Sequence, residues 1–244
     1  MKSDWKYNPD ELLDLDTQSP ENLIDWLKME HIRKYLPKGR NVLEVGAGSG
    51  RLLTRIGMEG NYRVVGIDYV KDSVRQIKGN IVKFGLNGDV ILADARYLPI
   101  KDGIFSVVSS GGLLEHFDVD GARILIKEMV RVLREDGLFY ADIAPKKSSL
   151  LRPVILKDAG GFENNFSADL WIMLFRQCGL KNVELFPGLI LPPNFYEWFQ
   201  KGIVLKMMYK YRNFIHGLDN TIWAAMLGFE YLVFAKKGND YEEK

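Results

Sequence analysis

The chain has 244 residues, of which 47% are hydrophobic and 27% charged, a composition typical of a globular protein with a full core. Its 33 basic and 32 acidic residues leave a net charge of +1, so no overall field would attract nucleic acid or an anionic membrane. The single cysteine, Cys178, excludes an intramolecular disulfide and argues against a cysteine-built metal site.

The sequence also predicts where the protein works. Residues 1–20 are acidic and lack the apolar segment of a secretory signal. No run of about 18 apolar residues is present, so a spanning helix is excluded. We therefore expect a cytoplasmic protein with no transmembrane segment.

The first predicted element is a helix over residues 19–36. Ser19 and Pro20 form an N-cap and first-turn pair, and the apolar residues that follow are spaced for one helix face. Residues 1–37 are interpreted as an N-terminal helical segment or lid.

From residue 41 to about residue 145, short β-branched runs alternate with helix-like stretches. The runs include "NVLEVGA", "YRVVGIDY", "DVILADA" and "IFSVVSSGG". They are continuous rather than strictly alternating, as in strands buried on both faces. This rhythm predicts an α/β fold with a doubly wound, mostly parallel sheet.

Further along the chain, a helix is predicted over 167–178, followed by the strands "KNVELFP" and "FEYLVFAKK". Between these strands lies a predicted helical insert, 187–227, rich in aromatic residues and methionine. It is interpreted as an acceptor lid, a core stripe, a membrane-surface helix or a dimer contact, which makes a homodimer possible. The predicted core is then 38–186 together with 228–237.

Three glycines, Gly46, Gly48 and Gly50, stand between the first predicted strand and the next helix. Such a turn lets backbone N–H groups and the helix N-terminus approach a ligand closely, which predicts a nucleoside-bearing cofactor. The dinucleotide fingerprint needs a glycine where the chain has Arg51. An NAD-dependent oxidoreductase is therefore a less favoured alternative.

Polar residues follow the next three predicted strands. Asp68 ends the second strand, where a carboxylate can accept hydrogen bonds from ribose hydroxyls. Asp94 ends the third strand, and Glu115 with His116 follows the fourth. The carboxyl ends of parallel strands meet at one edge of the sheet, so these residues are expected to surround one ligand site.

The segments "VLEVGAGSG", "VVGIDY", "LADARYLPI", "FSVVSSGGLLEHF" and "VLREDGLFYADIAP" resemble, in order and spacing, the motifs of class I S-adenosylmethionine-dependent methyltransferases. The small-molecule branch is the most similar. The resemblance implies a Rossmann-like methyltransferase fold of seven strands, the last of them, at about 229–236, antiparallel. It also implies in-line transfer of a methyl group from S-adenosylmethionine to a small-molecule acceptor, leaving S-adenosylhomocysteine, with no metal and no nucleic-acid partner.

The resemblance further implies roles for individual residues. Glu44 would lie behind the glycines that surround the methionine moiety, Asp68 would bind the ribose, and Asp94 would take the adenine amino group. His116 is the candidate catalytic base, the alternative being a partly exposed imidazole at a helix entry. The expected cofactor-binding residues are Glu44, Gly46, Ala47, Gly48, Gly50, Asp68, Tyr69, Asp94, Ala95, Ser110 and Gly111. Within this set, Ala95 would donate its backbone N–H to the adenine ring, and Ser110 with Gly111 would line the sulfonium end.

Other functions remain open at this point. A nucleic-acid or protein methyltransferase would share these motifs, although the Pro-Pro turn of amino-type base methylases is replaced by "SSGGLL" after the fourth strand. A non-catalytic S-adenosylmethionine-binding module would share them too, because fold does not determine function. The motifs are compatible with an oxygen, nitrogen or carbon acceptor.

Overall fold

The computed structural model describes residues 8–38, 41–144, 148–150, 162–188 and 203–238, with side chains from residue 205 onward in the last range. Parts of the predicted N-terminal segment (1–7) and of the predicted insert (189–202) lie outside the described residues. Within the described ranges, no helix is long and apolar enough to cross a membrane.

A sheet of seven strands in the order β3-β2-β1-β4-β5-β7-β6 forms the centre of the molecule. The strands are β1 (Asn41–Val45), β2 (Arg63–Asp68), β3 (Asn87–Leu92), β4 (Phe105–Gly111), β5 (Leu133–Ile143), β6 (Leu180–Gly188) and β7 (Glu230–Lys237). Strands β1 to β5 pair in parallel, whereas β7 runs antiparallel to both β5 and β6. The predicted fold class, including the antiparallel last strand, is confirmed.

Helices cover both faces of this sheet. They are α1 (Pro20–Ile32), α2 (Arg51–Met58), α3 (Lys71–Lys83), α4 (Val119–Val132), α5 (Ala168–Gln177), α6 (Ile203–Lys210), α7 (Arg212–His216) and α8 (Ile222–Leu227), with a short 3₁₀ turn at Leu114–His116. Neighbouring strand residues supply two separate cores: Val42 packs with α1, α2 and α3, and Leu43 packs with α4 and α5. Successive side chains of a strand point to opposite faces, so a strand covered on both sides must be apolar throughout.

Helix α1 begins where the sequence predicts. The Ser19 hydroxyl accepts a hydrogen bond from the Asn22 backbone N–H at 3.2 Å, and Pro20 is the first helical residue. The described helices of the insert support α1 from its outer side. The Tyr209 hydroxyl donates to the Ser19 carbonyl at 2.8 Å, and the Arg212 guanidinium lies 5.0 Å from the centre of the Trp26 ring.

Candidate active site

A cavity of about 680 Å³ lies at the carboxyl edge of the parallel strands. Its walls come from the ends of β1, β2, β4 and β5, from the start of β7 and from α1. Of the residues predicted from sequence, those that line the cavity are Glu44, Gly46, Ala47, Gly48, Asp68, Tyr69, Asp94, Ala95, Gly111 and His116. The structure thus brings together residues that are spread over more than 70 positions of the chain.

Two features of the folded chain, besides the approach of a ligand, explain why residues 46, 48 and 50 are glycines. Gly46, Gly48 and Gly50 have φ angles of +68°, +55° and +76°, a left-handed backbone that other residues rarely adopt. The protein's own side chains also fill the space beside two of them. A Cβ on Gly46 would lie 2.9 Å from Leu113, and a Cβ on Gly50 would lie 3.1 Å from Ile77. Approach of a ligand is therefore not needed to explain Gly50.

Asp68 holds the glycine turn in place. One carboxylate oxygen accepts a hydrogen bond from the Gly48 N–H at 2.8 Å, and the other accepts from the Val70 N–H at 2.9 Å. Because a carboxylate offers about four acceptor positions, both oxygens can still accept from ribose hydroxyls. The side chain is 5% exposed, so such bonds would form in a site largely closed to solvent.

Asp94 lies at a more open part of the wall. Its carboxylate pairs with the Arg96 guanidinium at 2.6 Å, and these hydrogen bonds hold the pKa of Asp94 below its ordinary value. An ionised carboxylate at this position can accept a hydrogen bond from an amino group. Tyr69 is 47% exposed on the same side of the cavity.

Two predicted contacts lie behind the cavity wall. The Ser110 hydroxyl is buried in the sheet and donates to the Val45 carbonyl at 3.0 Å. Gly50 is the N-cap of α2 and packs on Ile77. Neither residue is among those that line the cavity, so both serve the packing of strand β4 and helix α2.

Glu44, in strand β1 just before the glycine turn, forms part of the wall. Its carboxylate accepts a hydrogen bond from the Leu53 N–H at 2.8 Å, close to the first turn of α2. Burial raises the pKa of Glu44 well above its ordinary value.

Glu115 and His116, predicted as a polar pair, point to different surroundings. Glu115 is 3% exposed, accepts from the Ala144 N–H at 3.2 Å, and has its pKa raised to about 8 by burial. His116 lines the cavity, with its Nδ1 atom 3.2 Å from the Phe162 carbonyl oxygen. Since a carbonyl can only accept, Nδ1 is the donor in this contact, and in that tautomer the lone pair is on Nε2.

Among the charged residues of the wall that were not predicted from the sequence, three lie together. The Lys28 ammonium lies 3.1 Å from a carboxylate oxygen of Asp142 and 3.1 Å from one of Glu230. Asp142 lies near the end of β5, and an acidic residue at a strand end is a pattern from which a site residue could have been predicted. Lys28 in α1 and Glu230 at the start of β7 carried no comparable signal.

Helix α1, rather than the described part of the insert, closes the site. Its cavity-lining residues are Glu21, Ile24, Asp25, Lys28 and Met29. No residue between 205 and 227 lines the cavity. Within the described residues, the insert reaches the site only indirectly, by packing on the outer side of α1.

A second polar cluster lies on that outer side. The Nε2 atom of His31 is 2.6 Å from a carboxylate oxygen of Asp219, and Nδ1 of His216 lies 3.3 Å from the same oxygen. The three ligand atoms fall within 4.8 Å of one another, a grouping that could hold a metal ion. It lies away from the cavity, so the prediction of a metal-free site for the chemistry stays a prediction.

Comparison with known protein families matches part of the chain. Residues 42–137 match the family model described as a methyltransferase domain. This segment runs from β1 into β5 and contains the glycine turn, Asp68 and Asp94. Residues 42–137 therefore match a methyltransferase domain.

Curated relatives of this methyltransferase domain carry names for different acceptors. The chain is 33% identical over 100 residues to a malonyl-(acyl-carrier protein) O-methyltransferase from Geobacter sulfurreducens, covering 40% of this chain and 36% of that protein. It is 28% identical over 113 residues to a tRNA (carboxymethyluridine(34)-5-O)-methyltransferase from Xenopus tropicalis, covering 46% of this chain and 17% of that protein. In both cases the chain spans less than two thirds of the relative's length.

Solved structures extend the likeness in fold to the regions around the methyltransferase domain. A methyltransferase from Archaeoglobus fulgidus that is named as S-adenosylmethionine-dependent superposes with a TM-score of 0.65 at 17% identity. The match covers 90% of this chain and 95% of that one. The shared fold therefore extends well beyond the segment that the family model matches.

Proposed function

We propose that the protein transfers a methyl group from S-adenosylmethionine to a small-molecule acceptor. The observation that carries this proposal is the single cavity in which the glycine turn, Asp68, Asp94 and His116 meet. Its volume of about 680 Å³ falls within the roughly 300–1,000 Å³ typical of small-ligand sites, which favours a small acceptor over a polymer.

The residues of the wall fit the cofactor in their chemistry. Asp68 offers acceptor positions for the ribose hydroxyls, and ionised Asp94 offers them for the adenine amino group. The left-handed glycines Gly46 and Gly48 give the methionine moiety a wall with few side chains. When bound, S-adenosylmethionine would supply a methyl group activated by a sulfonium. An acceptor lone pair would bond to the methyl carbon as the carbon–sulfur bond breaks and its electron pair goes to sulfur.

The chain's own contribution to the rate is mainly alignment. Positioning of two reactants in one site can supply roughly 7–11 kcal/mol of the barrier. Helix α1 and the 3₁₀ turn that carries His116 both form parts of the wall, so they would help to hold the acceptor and exclude water.

The experiment that tests this function is a pair of measurements on the purified chain. Calorimetry with S-adenosylhomocysteine should give saturable binding at one site. Methyl-labelled S-adenosylmethionine, mixed with a cell extract that contains small molecules, tRNA and protein, should yield labelled small molecules and S-adenosylhomocysteine. Label found only in tRNA or protein would contradict the small acceptor, and no binding of S-adenosylhomocysteine would contradict the function as a whole.

His116 is proposed as the base that accepts the acceptor's proton. The lone pair on Nε2 suits this role, and general-base catalysis contributes about 10²–10⁴-fold. His116→Ala should lower kcat by a factor in this range while leaving the affinity for S-adenosylhomocysteine unchanged. An unaltered kcat would show that the imidazole is not the base.

A further inference from the structure

A group of three charged side chains, Lys28, Asp142 and Glu230, lies in the wall of the cavity and has no role in cofactor binding proposed above. Lys28 comes from α1, Asp142 from near the end of β5, and Glu230 from the start of β7. Because β7 is antiparallel to β5, its first residue reaches the same edge of the sheet as the last residues of β5. The three therefore converge although 202 positions of sequence separate Lys28 from Glu230.

One oxygen of this group has no partner. The Oε2 atom of Glu230 pairs with Lys28 at 3.1 Å, but Oε1 is buried and accepts no hydrogen bond from any described residue. The Glu230 residue is 2% exposed, so water does not satisfy this atom freely. An unsatisfied buried carboxylate oxygen is costly, which indicates a ligand that brings a hydrogen-bond donor.

When both of its carboxylates are ionised, the group is one positive charge short. Asp142 is fully paired, since Lys28 contacts one oxygen at 3.1 Å and the Tyr140 hydroxyl donates to the other at 3.2 Å. Lys28 is thus the single described cation between two buried carboxylates. Burial, helped by repulsion from Asp142, raises the pKa of Glu230 to about 8 despite the nearby ammonium.

The group lies next to the part of the cavity where the acceptor is expected to bind. A Cβ on Gly111 would lie 3.2 Å from Asp142 Oδ2, and Gly111 is the residue that the family resemblance places at the sulfonium end. Apolar side chains of Met29, Leu113 and Phe229 line the same cavity. A ligand there would have one polar end against the carboxylates and an apolar body.

We infer that the methyl acceptor is an amine whose protonated nitrogen donates a hydrogen bond to Oε1 of Glu230 in the Lys28–Asp142–Glu230 group. The nitrogen then loses a proton to His116, and its lone pair forms a bond to the methyl carbon as the carbon–sulfur bond breaks and its electron pair goes to sulfur. This inference rests on the proposed function. An alcohol would satisfy the oxygen but would leave the charge of the group unbalanced, and a carboxylic acid would be repelled by it.

The test uses matched probes on the full chain saturated with S-adenosylhomocysteine. The probes are butylamine, 2-phenylethylamine and tryptamine, each compared by calorimetry with the alcohol and the carboxylic acid of the same skeleton. The amines should bind at least about ten-fold more tightly than their partners. Glu230→Gln should reduce this preference to less than about three-fold, whereas Glu135→Gln, which removes an exposed carboxylate paired with Lys237, should keep it.

A second variant moves the preference in the opposite direction. Lys28→Met leaves both carboxylates without their own cation, so it should strengthen amine binding relative to the wild type. Glu230→Gln retains the shape of the side chain, and it keeps the inference testable if Lys28→Met does not fold.

The outcomes separate this inference from the proposed function. Absence of any preference for amines, including no binding of any probe, overturns the inference while binding of S-adenosylhomocysteine leaves the proposed function standing. Loss of S-adenosylhomocysteine affinity in Glu230→Gln, by the same factor as loss of amine affinity, would show that the carboxylate serves the cofactor, and would overturn the inference too. Failure of the wild type to bind S-adenosylhomocysteine would contradict the proposed function itself.

Discussion

At the scale of single residues, Asp68 has a structural role in addition to the ligand contact proposed for it. Its two oxygens accept hydrogen bonds from Gly48 and Val70, which join the glycine turn to the start of α3. A residue that shapes the turn and also faces the cavity couples cofactor binding to the local backbone. A substitution of Asp68 therefore affects both the proposed ligand contact and the shape of the glycine turn.

Replacement of Asp68 by alanine should weaken binding of S-adenosylhomocysteine by about 1.5–3 kcal/mol, because hydrogen bonds to a charged group are lost. This corresponds to roughly a 10- to 150-fold rise in Kd, measurable by calorimetry. Asp89→Ala removes an exposed carboxylate paired with Arg63 and serves as the control, with no expected change. An unchanged affinity in Asp68→Ala would remove this residue from the site.

Glu115 gives a prediction about pH. Its pKa in the folded protein is raised to about 8 by burial, so between its ordinary value and about pH 8 the folded state binds a proton that the unfolded state releases. Stability therefore falls as the pH rises through this window, by at most about 1.4 kcal/mol per pH unit. In Glu115→Gln this contribution is absent.

The measurement is urea unfolding of both proteins at a series of pH values from about 5 to about 8. The free energy of unfolding of the wild type should decrease relative to that of Glu115→Gln as the pH rises. Glu230 titrates in the same range in both proteins, so only the difference between them reports on Glu115. A difference that stays constant with pH would contradict the prediction.

At the scale of elements, α1 is held against α2 by a polar network beside the cavity. The Asp25 carboxylate accepts from Arg51 at 2.7 Å and from Arg55 at 3.3 Å, and the Asn22 side-chain oxygen accepts from both guanidinium groups. Arg51, the residue that interrupts the dinucleotide fingerprint, is therefore engaged with α1. The network makes the cavity wall depend on the docking of one helix.

Asp25→Asn should loosen this docking, since the amide that replaces the carboxylate has no charge to attract either arginine. We expect a loss of about 1–3 kcal/mol in the free energy of unfolding and faster hydrogen exchange across α1. Asp72→Asn removes an exposed carboxylate paired with Arg75 and should cost at most about 1 kcal/mol. Equal exchange in α1 for Asp25→Asn and the wild type would show that the apolar contacts of the helix suffice.

At the scale of the whole molecule, the cavity joins distant parts of one chain. Its wall combines α1, the parallel strands β1, β2, β4 and β5, and the first residue of the antiparallel β7. A ligand that contacts all of these elements binds the folded state alone. Binding should therefore appear as a gain in global stability.

S-adenosylhomocysteine at about 100 times its Kd should add about 2.7 kcal/mol to the free energy of unfolding. For a chain of this size, that gain raises Tm by roughly 5–10 °C in a thermal unfolding experiment. NADH at the same concentration is the comparison and should leave Tm unchanged. A rise with NADH and none with S-adenosylhomocysteine would favour the oxidoreductase alternative.

Much of the site was predictable because parallel strands follow a simple rule. Asp68 ends β2, and Asp94 and His116 lie in the segments that follow β3 and β4. The carboxyl ends of parallel strands meet at one edge, so local sequence placed these residues together. The N-cap at Ser19 and the helix that begins at Ala168 could also be predicted from local sequence, because each depends on residues within one turn. The packing roles of Gly50 and Ser110 were missed, because Ile77 and Val45 meet them only in the folded sheet.

The sequence by itself thus determined the fold class and the part of the site built from successive βα corners, where chain order and spatial order coincide. Only the tertiary structure decided that Lys28 and Glu230 face the same cavity as Asp142. The reason is geometric: the antiparallel β7 brings its beginning, not its end, to the ligand edge, and the docking of α1 depends on contacts with residues far along the chain. Charges that meet by such long-range packing leave no periodicity or spacing in the sequence.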